Sequence, residues 1–187
     1  MSLPEKNIHT EQLQQLVREC AVNDRKAQEV LYKQFYKPLL AICYRYVRNT
    51  EDAVEVLHTG FLKIFNHIHQ FDFSRSALFT WMHQIMVNAS IDFIRKSKQA
   101  VRNVEWTEKD DPVIEAEALT YRSAEEIMSC LKQLPFNTST VFNLFVIEGY
   151  SHKEIANMLQ ISEGTSKWHL SEAKKLLTEI IRRKAIA

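Results

Sequence analysis

Polar and cationic side chains gather near the C-terminal end in the segment Tyr150 to Leu177 (YSHKEIANMLQISEGTSKWHLSEAKKLL). Glu163, Thr165, Ser166, Lys167 and His169 are close together, with Lys153 upstream and Lys174 and Lys175 downstream. At the start of a helix laid in the major groove, Glu163 to Lys167 would meet base edges, while Lys153, Lys174 and Lys175 can reach phosphates. A second set lies in Trp81 to Lys98, where the Asn88 amide can both donate and accept hydrogen bonds. Arg95, Lys96 and Lys98 there can neutralise phosphates, and Trp81 offers an aromatic face for stacking. The plainer alternatives are an αα-hairpin with a solvated lysine face, and a stretch in which Trp81 is core, Asp92 pairs with a neighbouring cation and the basic tail is merely wet.

Helices must position these groups. Ser151 with Glu154 has capping-box spacing before Ile155, Ala156 and Leu159, and Ser162 can cap a following helix carrying Leu170, Ala173, Leu176, Leu177 and Ile180 on one side. Ala156 leaves room for close helix contact and Ile161 plugs the turn. Two short helices joined by a tight turn make a helix-turn-helix, whose second helix enters the major groove. Upstream, Ser123 and Glu126 repeat the capping-box spacing before a helix ending near Pro135, and Gly149 is placed to stop the next one.

In the N-terminal half, Thr10 and Asp24 are expected caps of two amphipathic helices, the second bent or restarted at Pro38. A third is expected to open near Thr50 with Glu51 and Asp52 in its first turn, and a fourth spans about Ala77 to Ser97. Only 3 Gly and 4 Pro punctuate 187 residues, which suits long helices and short connections. The expected fold class is all-α, with two helical domains.

The formal charge of +1 conceals an uneven distribution. Residues 1–100 carry 13 basic and 10 acidic groups, residues 101–122 carry 3 and 6, and residues 123–187 carry 8 and 7. Periodicity fades through 99–122, a solvated-linker composition, so the expected domains are 1–98 and 123–187. Cys20, Cys43 and Cys130 fall in no CxxC pair, which points to buried thiols rather than a disulfide or zinc framework. His67 and His69 lack partner ligands, no serine has a nucleophile-elbow context, and no glycine-rich phosphate loop is present. No metal, cofactor or catalytic residue is therefore expected, nor an enzyme. No stretch reaches the roughly 18 apolar residues of a membrane span, so a cytoplasmic protein is expected.

Leu134, Pro135, Val141, Phe142, Glu154, Ile155, Ala156, Gly164, Thr165 and Lys167 give the chain's C-terminal part a known pattern. It resembles region 4, the promoter-binding domain of bacterial sigma factors in the extracytoplasmic-function subgroup of the sigma-70 family. The resemblance implies −35 element recognition by Lys153, Glu163, Thr165, Ser166, Lys167, His169, Lys174 and Lys175. His169 and Glu172 stand where that family often has arginines. Trp81, Ile85, Asn88, Asp92 and Arg95 match region 2, which opens the −10 element; the resemblance assigns −10 contacts to Trp81, Asn88, Arg95, Lys96 and Lys98. Gln84 and Val87 replace frequent basic residues, implying weak DNA affinity without polymerase.

Glu51 to Phe65 (EDAVEVLHTGFLKIF) resembles the region 2 helix that docks on core RNA polymerase, with Glu51, Asp52, Glu55 and His58 facing the partner. From the residues alone it is an ordinary amphipathic helix. Val54 and His58 depart from the family's acidic residue and glutamine. The resemblance threads the acidic linker through polymerase channels; a plain tether is the alternative. The implied function is a transcription initiation factor that binds core RNA polymerase and promoter DNA, with an anti-sigma factor as inhibitor and no membrane insertion. A stand-alone helix-turn-helix regulator and a protein-interaction adaptor are the rival readings.

Overall fold

The computed structural model describes residues 5–47, 49–101 and 129–186, with side chains described from 11 to 97 apart from 48 and from 129 to 183. The chain divides into two compact units, Met1–Asp111 and Pro112–Ala187. Among the described residues every regular element is helical. The acidic stretch beyond 101, with Trp106 and Val113, and the Ser123–Glu126 pair lie outside the described residues.

The first unit contains α1 (Glu5–Ala21), α2 (Arg25–Tyr46), α3 (Thr50–His67), a 3-10 turn (Ile68–Gln70) and α4 (Leu78–Val101). Asp24 caps α2, its Oδ1 accepting from the Ala27 N–H at 2.9 Å. Asn49 caps α3 in the same way, accepting from the Asp52 N–H at 2.7 Å. Two expectations change. Thr10 lies inside α1, which begins earlier than its cap-like hydroxyl suggested. The second helix runs unbroken through Pro38, because packing against α3 and α4 on both sides outweighs the lost hydrogen bond at an exposed position.

Helices α2, α3 and α4 pack on one another, while α1 lies against α2 and the 3-10 turn. Leu31, Leu39, Ile42, Tyr46, Val56, Leu57, Phe61, Ile64, Met82, Met86 and Val87 form a core excluded from water. Val87 is thus a core residue, which explains why no basic side chain stands there. Gly60 marks a close approach of α3 to α4, since a methyl on its Cα would overlap the Met86 thioether. Cys20 and Cys43 are fully buried. Burial, with Glu19 and Asp24 adding to it, pushes the Cys20 thiol up to about 11, and burial pushes Cys43 up to about 12.

The second unit begins, in its described part, with a helical turn at 129–132, followed by α5 (Phe136–Phe142), a π-helical turn (Asn143–Ile147), α6 (His152–Leu159) and α7 (Glu163–Ile186). Leu131, Leu134 and Ala173 centre its core, with Phe142, Leu176, Leu177 and Ile180 packed around them. The polar run Thr138, Ser139 and Thr140 is buried in α5. Ser139 Oγ and Thr140 Oγ1 each donate to the Phe136 carbonyl at 2.9 Å, and these bonds offset the desolvation of the hydroxyls.

Candidate nucleic-acid interface

Helices α6 and α7 form a helix-turn-helix whose parts lock one another. Ser151 and Glu154 close a reciprocal capping box at the start of α6. The Ser151 hydroxyl and backbone N–H both bond the Glu154 carboxylate and hold its pKa below the usual range. Gln160 takes the left-handed conformation at φ 54°, and the Ile161 N–H bonds the Ala156 carbonyl at 3.0 Å, closing the turn. Ser162 then caps α7 by accepting from the Thr165 N–H at 3.0 Å.

On α7, Ser166, Leu170 and Ala173 are buried while Glu163, Gly164, Thr165, Lys167, Trp168, Ser171, Lys174 and Lys175 are exposed. Lys153 is exposed on α6. Two residues expected at DNA turn away from the exposed face. Ser166 is wholly buried, its hydroxyl 2.9 Å from His152 Nδ1, so it joins α7 to the start of α6. His152 in turn stacks on Phe145, ring centroids 4.5 Å apart. His169 is half-buried and turns toward α5, its Nδ1 3.0 Å from Thr138 Oγ1. The same rotation that hides Ser166 brings Trp168 outward, a residue the sequence pattern did not single out. Its signal was its place four residues after Gly164 and seven before Lys175, on the helix face opposite the apolar stripe.

On α4, Trp81, Ile85, Asn88, Asp92 and Arg95 recur at four- and three-residue steps and therefore share one face. Asn88 is exposed; the other four are partly exposed. Trp81 is accordingly not core: its ring sits 5.2 Å from that of Phe71, which itself meets Phe73 edge-on at 4.8 Å. Asp92 bridges Lys63 Nζ at 2.9 Å and Arg95 Nη2 at 3.0 Å through separate oxygens. Arg95 is thus held in place on this face by its acidic neighbour. Lys96 is exposed, and the Lys98 side chain lies outside the described residues.

On α3, Glu51, Glu55 and His58 share an exposed face, and Leu62, 65% exposed, extends it. Leu62 was not anticipated, because an apolar residue inside an amphipathic repeat reads as core. His58 Nε2 lies 3.1 Å from the Tyr32 hydroxyl of α2. Asp52 departs from this group: it is half-buried and its carboxylate accepts from Asn49 Nδ2 at 2.6 Å. It serves the cap of α3 first.

Residues 31–100 match the family model Sigma-70 region 2, and residues 124–177 match Sigma-70, region 4. The chain belongs to the sigma-70 family. In this sigma factor the α3 and α4 faces lie within region 2, and the helix-turn-helix lies within region 4. It is 23% identical over 184 residues to the RNA polymerase sigma-H factor of Pseudomonas aeruginosa, covering 92% of this chain and 95% of that protein. It is 26% identical over 161 residues to the ECF RNA polymerase sigma factor SigM of Bacillus subtilis, covering 80% of this chain and 94% of that one. The second of these relatives is named as a member of the extracytoplasmic-function (ECF) subgroup. The fold is shared with the sigma factor RpoE solved in complex with the anti-sigma factor NepR from Bartonella quintana. That likeness has a TM-score of 0.53 at 17% identity and covers 82% of this chain and 96% of that one.

Proposed function

We propose that this sigma factor binds core RNA polymerase through the exposed α3 face of Glu51, Glu55, His58 and Leu62, with Asp52 fixing the start of that helix. Asn88, Arg95 and Lys96 on the α4 face, together with Lys98 and the aromatic ring of Trp81, hold the opened −10 element. Lys153, Glu163, Thr165, Lys167, Lys174 and Lys175 bind the −35 element. The observation that carries this reading is the presence, in family order, of a region 2 unit and a region 4 helix-turn-helix, each presenting its polar face outward. Strand opening is driven by capture of unstacked bases, and phosphodiester chemistry belongs to the polymerase; the chain itself is not an enzyme.

The site of action is the cytoplasm, where promoter and polymerase reside; among the described residues no helix is long and apolar enough to cross a membrane. An anti-sigma factor is the inhibitory partner expected of a protein with this fold. The intact chain, added to core polymerase lacking any other sigma factor, is expected to co-purify with it and start transcription at specific promoters. Tight operator binding by the chain alone, with no polymerase association, would transfer the function to a stand-alone regulator.

A further inference from the structure

Trp168 is 59% exposed, the most exposed large apolar side chain among the described residues of the second unit. It sits on the helix already placed in the major groove, next to Lys167 and on one line with Gly164, Ser171 and Lys175. Helical side chains lean over the turn N-terminal to their own Cα, so the indole overlies the turn containing Gly164, which has no side chain to hold DNA away. Its ring is met edge-on by His169, centroids 4.9 Å apart at 69°, and His169 is anchored to Thr138 of α5. An exposed aromatic is therefore held at the centre of the outward face, between flanking lysines.

We infer that Trp168 reads one thymine in the major groove of the −35 element; this rests on the sigma-factor reading above. Indole combines an apolar body with a single N–H donor and no acceptor. Thymine presents an O4 acceptor beside its C5-methyl, so it satisfies both halves of that side chain. Cytosine presents a donor, guanine offers acceptors without a methyl, and adenine sets a donor beside its acceptor, so each fits only part of it. Lys167, Lys174 and Lys175 supply the phosphate attraction, which carries no sequence preference of its own.

The test uses holoenzyme assembled from the full chain and core polymerase, with a promoter library randomised over the −35 element. Wild-type holoenzyme is expected to prefer thymine about tenfold at one position, a preference absent in Trp168→Ala. At that position deoxyuridine, which lacks only the methyl, is expected to cost wild-type about fourfold in affinity and to cost Trp168→Ala nothing. Trp168→Phe is expected to keep the methyl sensitivity. An unchanged base preference in Trp168→Ala would overturn the assignment, and so would weaker binding spread evenly over all sequences, which marks a backbone contact. Failure of wild-type chain to form an initiating holoenzyme would instead overturn the sigma-factor reading on which the assignment rests.

Discussion

Neighbouring side chains on one helix do unlike work here, because a 100° step between residues sends them to different surroundings. Ser166 is in the core and Lys167 in solvent. Lys167→Glu is expected to abolish −35-dependent initiation by reversing a phosphate contact, while helix content and thermal unfolding stay at wild-type values, since the side chain is exposed. Transcription from promoters with and without a −35 element checks this. Cys43 shows the opposite environment. Its thiol, ordinarily near 9, is pushed up to about 12 by burial, so the folded state favours the neutral form. That contribution is complete below pH 9 and is lost as pH rises toward 12, which predicts a falling unfolding midpoint over that range and a smaller fall in Cys43→Ala.

Two elements depend on details smaller than a side chain. Gly60 lets α3 and α4 meet where an added methyl would overlap the thioether of the fully buried Met86 and force it to shift. Gly60→Ala gains up to about 1 kcal/mol of helix propensity but overpacks a closed core at about 1–3 kcal/mol, so net destabilisation is expected. Urea unfolding should show a smaller loss when Met86→Ala is already present, because the clash has been removed. At α6, Ser151→Ala removes the cap and is expected to cost the second unit about 1 kcal/mol. Glu154, held low by the Ser151 hydroxyl and then its backbone N–H, contributes stability above its ordinary pKa of 4.5 that is lost as pH falls below it. Acid titration of thermal stability should show that loss in wild type and a reduced one in Ser151→Ala.

At the scale of the molecule, two units each bring one part of a bipartite promoter contact, and the covalent connection supplies the effective concentration of the second contact once the first is made. Residues 1–98 and 123–187 supplied as separate chains are therefore expected to lower −35-dependent initiation by at least about 100-fold against the intact chain. Run-off transcription at equal protein concentration measures it. Comparable activity of the mixture would show that polymerase positions each unit without help from the other.

Much of this was legible in the sequence. The helical class, the caps at Asp24, Ser151 and Ser162, the turn closed at Ile161 and the order of the two motifs all follow from local rules: hydrogen-bonding side chains at helix starts, left-handed turns and apolar spacing. Periodicity fixes only the angles between residues along a helix. Tertiary packing fixed the rotation of each helix against its neighbours, and with it the burial of Ser166, the turn of His169 toward Thr138 and the exposure of Leu62 and Trp168. It also kept α2 helical through Pro38 and buried the Thr138–Thr140 run, since contacts from other elements outweighed the local cost of a missing donor or a desolvated hydroxyl. Local chemistry thus determined which helices form, and packing between them decided which of their residues meet the partner.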